Sequence, residues 1–218
     1  MTLHFDTDEF AARQALAIER MAERKLDALL LFSQESMYWL TGYDTFGFCF
    51  FQAMVMRRDG RFVLVTRAPD LRQAKATSIV EDVRVWVDRG EADPIGQLKE
   101  VLFDVELLGA RIGVETDTHG LTARNGRLLE DGLKSFAELV DASDLIPALR
   151  AVKSPAEIAC VREAARLADR AYEATLAEVR PGADEGRLLA VLQGTILEAG
   201  GEYPANDFII GSGADALL

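Results

Sequence analysis

From residue 8 to residue 25, Phe10, Ala17, Ile18 and Met21 recur on one stripe between charged positions, and that period predicts an amphipathic surface helix. The apolar run Ala28 to Phe32 follows, ended by the polar residues Ser33-Gln34-Glu35-Ser36, and it reads as a buried strand. Two further strands are predicted over 49–57 and 61–66, joined through Arg58-Asp59-Gly60, whose Asp-Gly step is a hairpin signal. Residues 82–88 alternate, with Val83, Val85 and Val87 on one face, as a half-buried strand does. A helix over 94–108 follows from Ile95, Leu98, Leu102 and Val105, with Gly109 as its stop. Then come a strand at 111–115, a helix at 121–132 ending at Gly132, and a strand at 135–142. Strands alternating with helices imply a parallel or mixed sheet covered by helices, so the first 140 or so residues read as one α/β domain.

The pattern changes after Asp144. Ser154-Pro155-Ala156-Glu157 has the form of a capping box with proline at the first helical position. Ile158, Val161, Ala165, Ala168, Tyr172 and Leu176 continue it as one apolar stripe, stopped at Arg180-Pro181-Gly182. A second helix starts at Asp184, with Leu188, Leu189, Leu192 and Ile196 expected to be buried, and Gly200-Gly201 closes it. Phe208-Ile209-Ile210 is strand-like. Two helices and a strand are too little for a domain of their own, so residues 150–218 either cover the first domain or open a second one that continues further.

Composition narrows the function. Apolar residues make up 49% of the 218-residue chain, enough for packed cores. The formal net charge of −12 argues against broad nucleic-acid binding, which needs a basic face. No run approaches the roughly 18 apolar residues of a membrane span, and the start MTLHFDTDEF is acidic where a signal peptide is basic, so a cytoplasmic protein is expected. Cys49 and Cys160 form no Cys-x-x-Cys pair, and His4 and His119 are far apart, which disfavours a disulfide scaffold and a zinc site.

Little catalytic chemistry is legible from spacing. Gly211-Ser212-Gly213-Ala214-Asp215-Ala216 has the outline of a dinucleotide-binding turn, yet lacks the helix and the later acidic residue that would complete it. Glu202, Asp207 and Asp215 stand singly and suit turns or solvent better than a metal. The unusual segment is Tyr38 to Phe51, which gathers seven aromatic residues around Thr41-Gly42 and Gly47. It is either the aromatic core of a strand-turn-strand or an exposed loop suited to a ligand wall or a subunit interface.

Trp39-Leu40-Thr41-Gly42-Tyr43, Arg111-Ile112-Gly113-Val114-Glu115, the junction Leu149-Arg150-Ala151-Val152-Lys153-Ser154-Pro155-Ala156-Glu157-Ile158, Arg180-Pro181-Gly182-Ala183-Asp184-Glu185 and Ile210-Gly211-Ser212-Gly213 occur in that order. Together they resemble the creatinase, prolidase and aminopeptidase P family over nearly the whole chain. The resemblance implies an N-terminal mixed-sheet α/β domain with ribonuclease H-like or Rossmann-like layers over 1–145. The first helices and strand of an incomplete pita-bread α+β domain would occupy 146–218. Family members hydrolyse C–N bonds, in most branches with two divalent metal ions held by two Asp, one His and two Glu. Those ligands follow the Gly-Ser-Gly strand, so none transfers to this chain, and no cofactor is expected within it. A homodimer acting on a small molecule or short peptide is implied, with no nucleic-acid or membrane partner.

In creatinase a loop of this domain brings a Phe and an Arg into the neighbouring subunit's pocket. Alignment on Thr41-Gly42 and Met54-Val55 places Phe48 at that Phe and Phe50 at the Arg position. Tyr43, Asp44, Phe48 and Gln52 are therefore the expected pocket residues, in a pattern closer to the ectoine hydrolase branch. The competing reading is a non-catalytic dimerisation and substrate-pocket module.

Overall fold

The computed structural model describes residues 3–204, 206–213 and 216, and of Phe48 the backbone only. The chain divides into two compact units, residues 1–152 and 153–218. In the first, a six-stranded mixed sheet has the order β4-β3-β2-β1-β5-β6. The strands are β1 (Ala28–Leu31), β2 (Ala53–Arg57), β3 (Phe62–Arg67), β4 (Asp82–Trp86), β5 (Arg111–Val114) and β6 (Glu138–Asp141). β2 pairs antiparallel with both β1 and β3, and the other neighbours are parallel. The hairpin read from Asp59-Gly60 is the β2–β3 connection, with Gly60 at positive φ.

Side-chain alternation sends two apolar sets to opposite faces of this sheet. Leu30, Val55, Val63, Val65, Ile112 and Val114 meet one face layer built from α4 (Pro94–Asp104) and α5 (Ala123–Leu133), through Leu98, Leu102, Leu129 and Leu133. Leu29, Leu31, Met54, Met56 and Leu64 meet the other, built from α1 (Thr7–Glu23), α2 (Gln34–Thr41), α3 (Leu71–Thr77) and α6 (Leu145–Ala151). Covering on both faces is why β1 is an unbroken apolar run, buried at every position. The unit is therefore a helix–sheet–helix sandwich. Among the described residues no helix is long and apolar enough to cross a membrane.

Three local expectations change. The segment after β1 folds as α2, where polar Ser33 to Ser36 had been read only as the end of a strand; Ser33 is the extended N-cap and Gly42, at φ 78°, ends the helix in the left-handed region. The strand expected from Cys49 starts at Ala53, because Gly47–Cys49 is a short 3₁₀ turn. α3 follows β3 and had no counterpart in the periodicity, being only two turns long. α1 is held to α2 by Arg13, whose Nη1 donates to the Trp39 carbonyl at 3.0 Å and whose guanidinium lies 4.1 Å from the Phe5 ring centre.

The second unit contains α7 (Pro155–Glu178) and α8 (Glu185–Glu198). α7 starts on the expected capping box, with the Ser154 hydroxyl accepting from Glu157 N and the Glu157 carboxylate accepting from Ser154 N. The apolar stripes are less buried than expected. Val161, Tyr172 and Leu176 are exposed and Leu188, Leu189, Leu192 and Ile196 are half-buried, since two helices can bury only the seam between them. Among the described residues the strand expected at Phe208-Ile209-Ile210 is not formed.

Candidate functional site

The aromatic segment runs from the end of α2 to the start of β2. Thr41 Oγ1 bonds the Met37 carbonyl at 2.7 Å and accepts from Tyr43 N, so the chain turns inward immediately after Gly42. Tyr43 is fully buried; its hydroxyl donates to Gln52 Oε1 at 3.2 Å and lies 3.5 Å from Thr66 Oγ1. Burial pushes the Tyr43 phenol above its ordinary value, partly offset by its hydroxyl neighbours. Gln52 is buried as well, its Nε2 donating to Thr45 Oγ1 at 3.2 Å and, more weakly, to Asp70 Oδ2 at 3.5 Å. Thr45 Oγ1 also accepts from Gly47 N at 2.8 Å. Asp44 is half-buried, with its backbone N–H donating to Thr77 Oγ1.

Over this polar floor the chain carries its aromatic rings outward. Phe46 is 80% and Phe50 42% exposed, and Cys49 is exposed between them. Phe51 returns to the core, edge-on to Phe32 and Trp86, and its carbonyl accepts from Trp86 Nε1 at 3.0 Å. The structure thus brings Tyr43 and Gln52 into direct contact in the interior and leaves Asp44 at the margin. The expected role of the Phe48 side chain lies outside the described residues. The segment is not the expected strand-turn-strand, since it begins in α2; within it Tyr43 and Phe51 are core while Phe46 and Phe50 are exposed.

Three residues with evident structural leverage here had not been singled out. Arg67, at the end of β3, donates to Asp70 from Nε at 3.0 Å and from Nη2 at 3.4 Å, and its guanidinium lies 3.3 Å from the Phe50 ring centre. The Arg-x-x-Asp spacing just after a strand was the available signal. Glu115, previously only part of a motif, is buried at the end of β5. Its Oε2 accepts from Phe32 N at 3.0 Å and Ser33 N at 2.8 Å, and its Oε1 from Ser36 Oγ at 2.5 Å. It ties down the start of α2, where the Ser33 hydroxyl makes no capping bond and donates to Glu35 instead. Burial raises the pKa of this carboxyl group despite those three donors.

Among the described residues no three of His, Cys, Asp and Glu gather as a metal ion requires, so the residues present do not fit the implied metal centre. His4 is engaged with the Tyr38 hydroxyl at 2.6 Å. In the glycine turn, Ser212 Oγ donates to the Glu185 carboxylate, while Ala214 and Asp215 lie outside the described residues.

The family model of the Creatinase/Prolidase N-terminal domain matches residues 13–152, and that of metallopeptidase family M24 matches residues 159–218. Ectoine hydrolase of Halomonas elongata is 27% identical over 99% of this chain and 58% of its own length. Creatinase of a Bacillus species is 28% identical over 83% of this chain and 43% of its own. The solved prolidase of Pyrococcus horikoshii superposes with a TM-score of 0.73 at 22% identity, over 95% of this chain and 54% of that one. The chain spans about half the length of these relatives.

Proposed function

The chain belongs to the creatinase/prolidase N-terminal domain family, and on that premise we propose that it is the N-terminal portion of a C–N bond hydrolase of the Xaa-Pro peptidase and creatinase type. The narrower reading of its substrate is ectoine or another small amidine or amide. In this reading residues 1–145 form the substrate-shaping domain and residues 146–218 the opening of the catalytic domain. The complete protein works as a homodimer and holds two divalent metal ions on residues other than those described above; no chemical step is assigned to a metal in this chain.

The observation that carries the reading is the Phe46–Phe51 loop, which presents Phe46 and Phe50 outward from a floor of buried, mutually bonded polar groups. A loop that merely connected α2 to β2 would lose stability by exposing two large rings, whereas a wall for an apolar or flat ligand requires them. Tyr43 and Gln52 then act from beneath as supports of the wall, Phe46 and Phe50 belong to its surface, and Phe48 is the pocket residue that the family resemblance implies. The relatives named ectoine hydrolase and creatinase support a small-molecule substrate, and the likeness to the M24 model supports a peptidase-type catalytic domain.

The test uses the complete protein with added manganese, cobalt or zinc, assayed on Met-Pro, on Ala-Pro and on ectoine. Turnover of at least one is expected. Phe48→Ala should then raise KM or lower kcat while leaving the denaturation midpoint nearly unchanged; a core phenylalanine would instead cost about 3–5 kcal/mol. Absence of turnover on all three, or a large loss of stability with normal kinetics per folded molecule, refutes the reading.

A further inference from the structure

Phe50 is 42% exposed in a short turn, so the group that holds its ring bears on the shape of the wall. In this fold that group comes from another element. β3 ends at Arg67, and its guanidinium carbon lies over the Phe50 ring, 3.3 Å from the ring centre. The cation is itself fixed. Nε and Nη2 both reach the Asp70 carboxylate, and Asp88 stands 3.9 Å from Nη1. The side chains of Arg67 and Asp70 are only 13% and 11% exposed, which leaves the pair little freedom to exchange partners with water.

The fixation continues into the loop's own ends. Asp70 Oδ2 lies within 3.5 Å of Gln52 Nε2, and Gln52 in turn bonds Thr45 and Tyr43 at the other end of the loop. Entry and exit of the turn are thus joined through one side chain, and the ring at its crest through a second. Gly47 allows this close approach, since a Cβ there would stand 1.9 Å from Gln52 Nε2.

We propose that Arg67, oriented by Asp70, is a positioning residue that holds the Phe46–Phe51 loop in a preformed arrangement and thereby sets substrate affinity. The inference rests on the reading of the loop as a pocket wall. A preformed wall orders nothing on binding, so its loss appears in KM rather than in the chemical step. Lysine keeps the charge but lacks the planar fork that grips Asp70 while stacking on Phe50, so Arg67→Lys is a disruptive change here.

The experiment takes the complete protein, its Arg67→Lys and Asp70→Asn variants, and Phe50→Leu, which removes the ring and keeps the Arg67–Asp70 pair. Two readouts are used: amide hydrogen exchange of the peptide covering residues 46–51, and kinetics on Met-Pro and ectoine. Exchange in that peptide should rise about tenfold in all three variants, the scale of one lost cation–π contact, with peptides from β1 and β5 unchanged. KM should rise about tenfold with kcat held within about twofold. Unchanged exchange in Phe50→Leu and Arg67→Lys overturns the proposal, as does faster exchange with an unmoved KM. If Arg67→Lys does not fold, Phe50→Leu decides alone. If the unmodified protein turns over neither probe, the hydrolase reading fails on its own, and the exchange result still decides whether Arg67 holds the loop.

Discussion

Replacing Glu115 separates two consequences of placing a carboxylate inside the sheet's edge of α2. In Glu115→Ala the N–H groups of Phe32 and Ser33 and the hydroxyl of Ser36 lose their acceptor. Each unsatisfied buried donor costs about 1–3 kcal/mol, and the relief of a desolvated charge offsets part of the sum, so a loss of about 3 kcal/mol is expected. Glu115→Gln keeps an oxygen for the two backbone donors, and Ser36 can rotate to accept from the new amide; it should stay within about 1 kcal/mol at neutral pH. The two substitutions also differ in their response to pH. Because burial raises the folded-state pKa, the native protein binds this proton more tightly than the unfolded chain does. The stabilising contribution is therefore complete below the unfolded value of about 4.3 and declines as pH rises through the folded pKa. Urea denaturation followed by tryptophan fluorescence reads this directly, since Trp39 and Trp86 are both buried in the same unit as Glu115. The stability of wild type relative to Glu115→Gln should fall as pH rises through that window. A Glu115→Ala protein within about 0.5 kcal/mol of wild type would show that Glu115 is not the acceptor described, and a difference that grows with pH would show that burial does not raise its folded-state pKa.

Two other substitutions probe the scaffold. Gly42→Ala forces a side chain into φ 78° with its Cβ 2.8 Å from the Thr77 carbonyl and 3.1 Å from Phe10 Cζ, and should cost about 3 kcal/mol in thermal or urea unfolding; a cost under about 1 kcal/mol would mean the turn relaxes freely. Ser154→Ala removes the hydroxyl of the α7 capping box and should cost about 1 kcal/mol, seen as faster amide exchange confined to the first turn of α7, with uniform exchange across both units as the contrary result.

The order of strands and helices in the first unit was legible because its strands are short apolar runs or apolar–polar alternations and α1, α4 and α5 repeat over several turns. The missed helices, α2 and α3, are eight and seven residues long, and short helices carry too few turns for a period to emerge. α2 also owes its start to Glu115, which lies 82 positions away from Ser33, so no local pattern could announce it. The aromatic segment stood out by composition, but its division into buried and exposed rings depends on Gln52, Arg67 and Asp70, which converge only in three dimensions. The expected strand at 208–210 shows the reverse case, a local preference that no strand among the described residues of this unit satisfies.

The mixed sheet described above also orders the events by which the chain folds. β2 and β3 meet across a tight turn, so their pairing closes a short loop and can form early. β1 joins β5 only after the intervening β2, β3, β4 and α4 have been spanned, and a contact so distant along the chain is entropically late. The hydrogen bond from Phe32 N to Glu115, across 83 positions, closes over the same junction. Pulsed exchange labelling during refolding should therefore protect Met54 and Val55 before Ile112 and Val114. Until that late closure the start of α2 lacks the Glu115 acceptor, and the aromatic turn that follows α2 has no settled base, so that turn is among the last segments to acquire its shape.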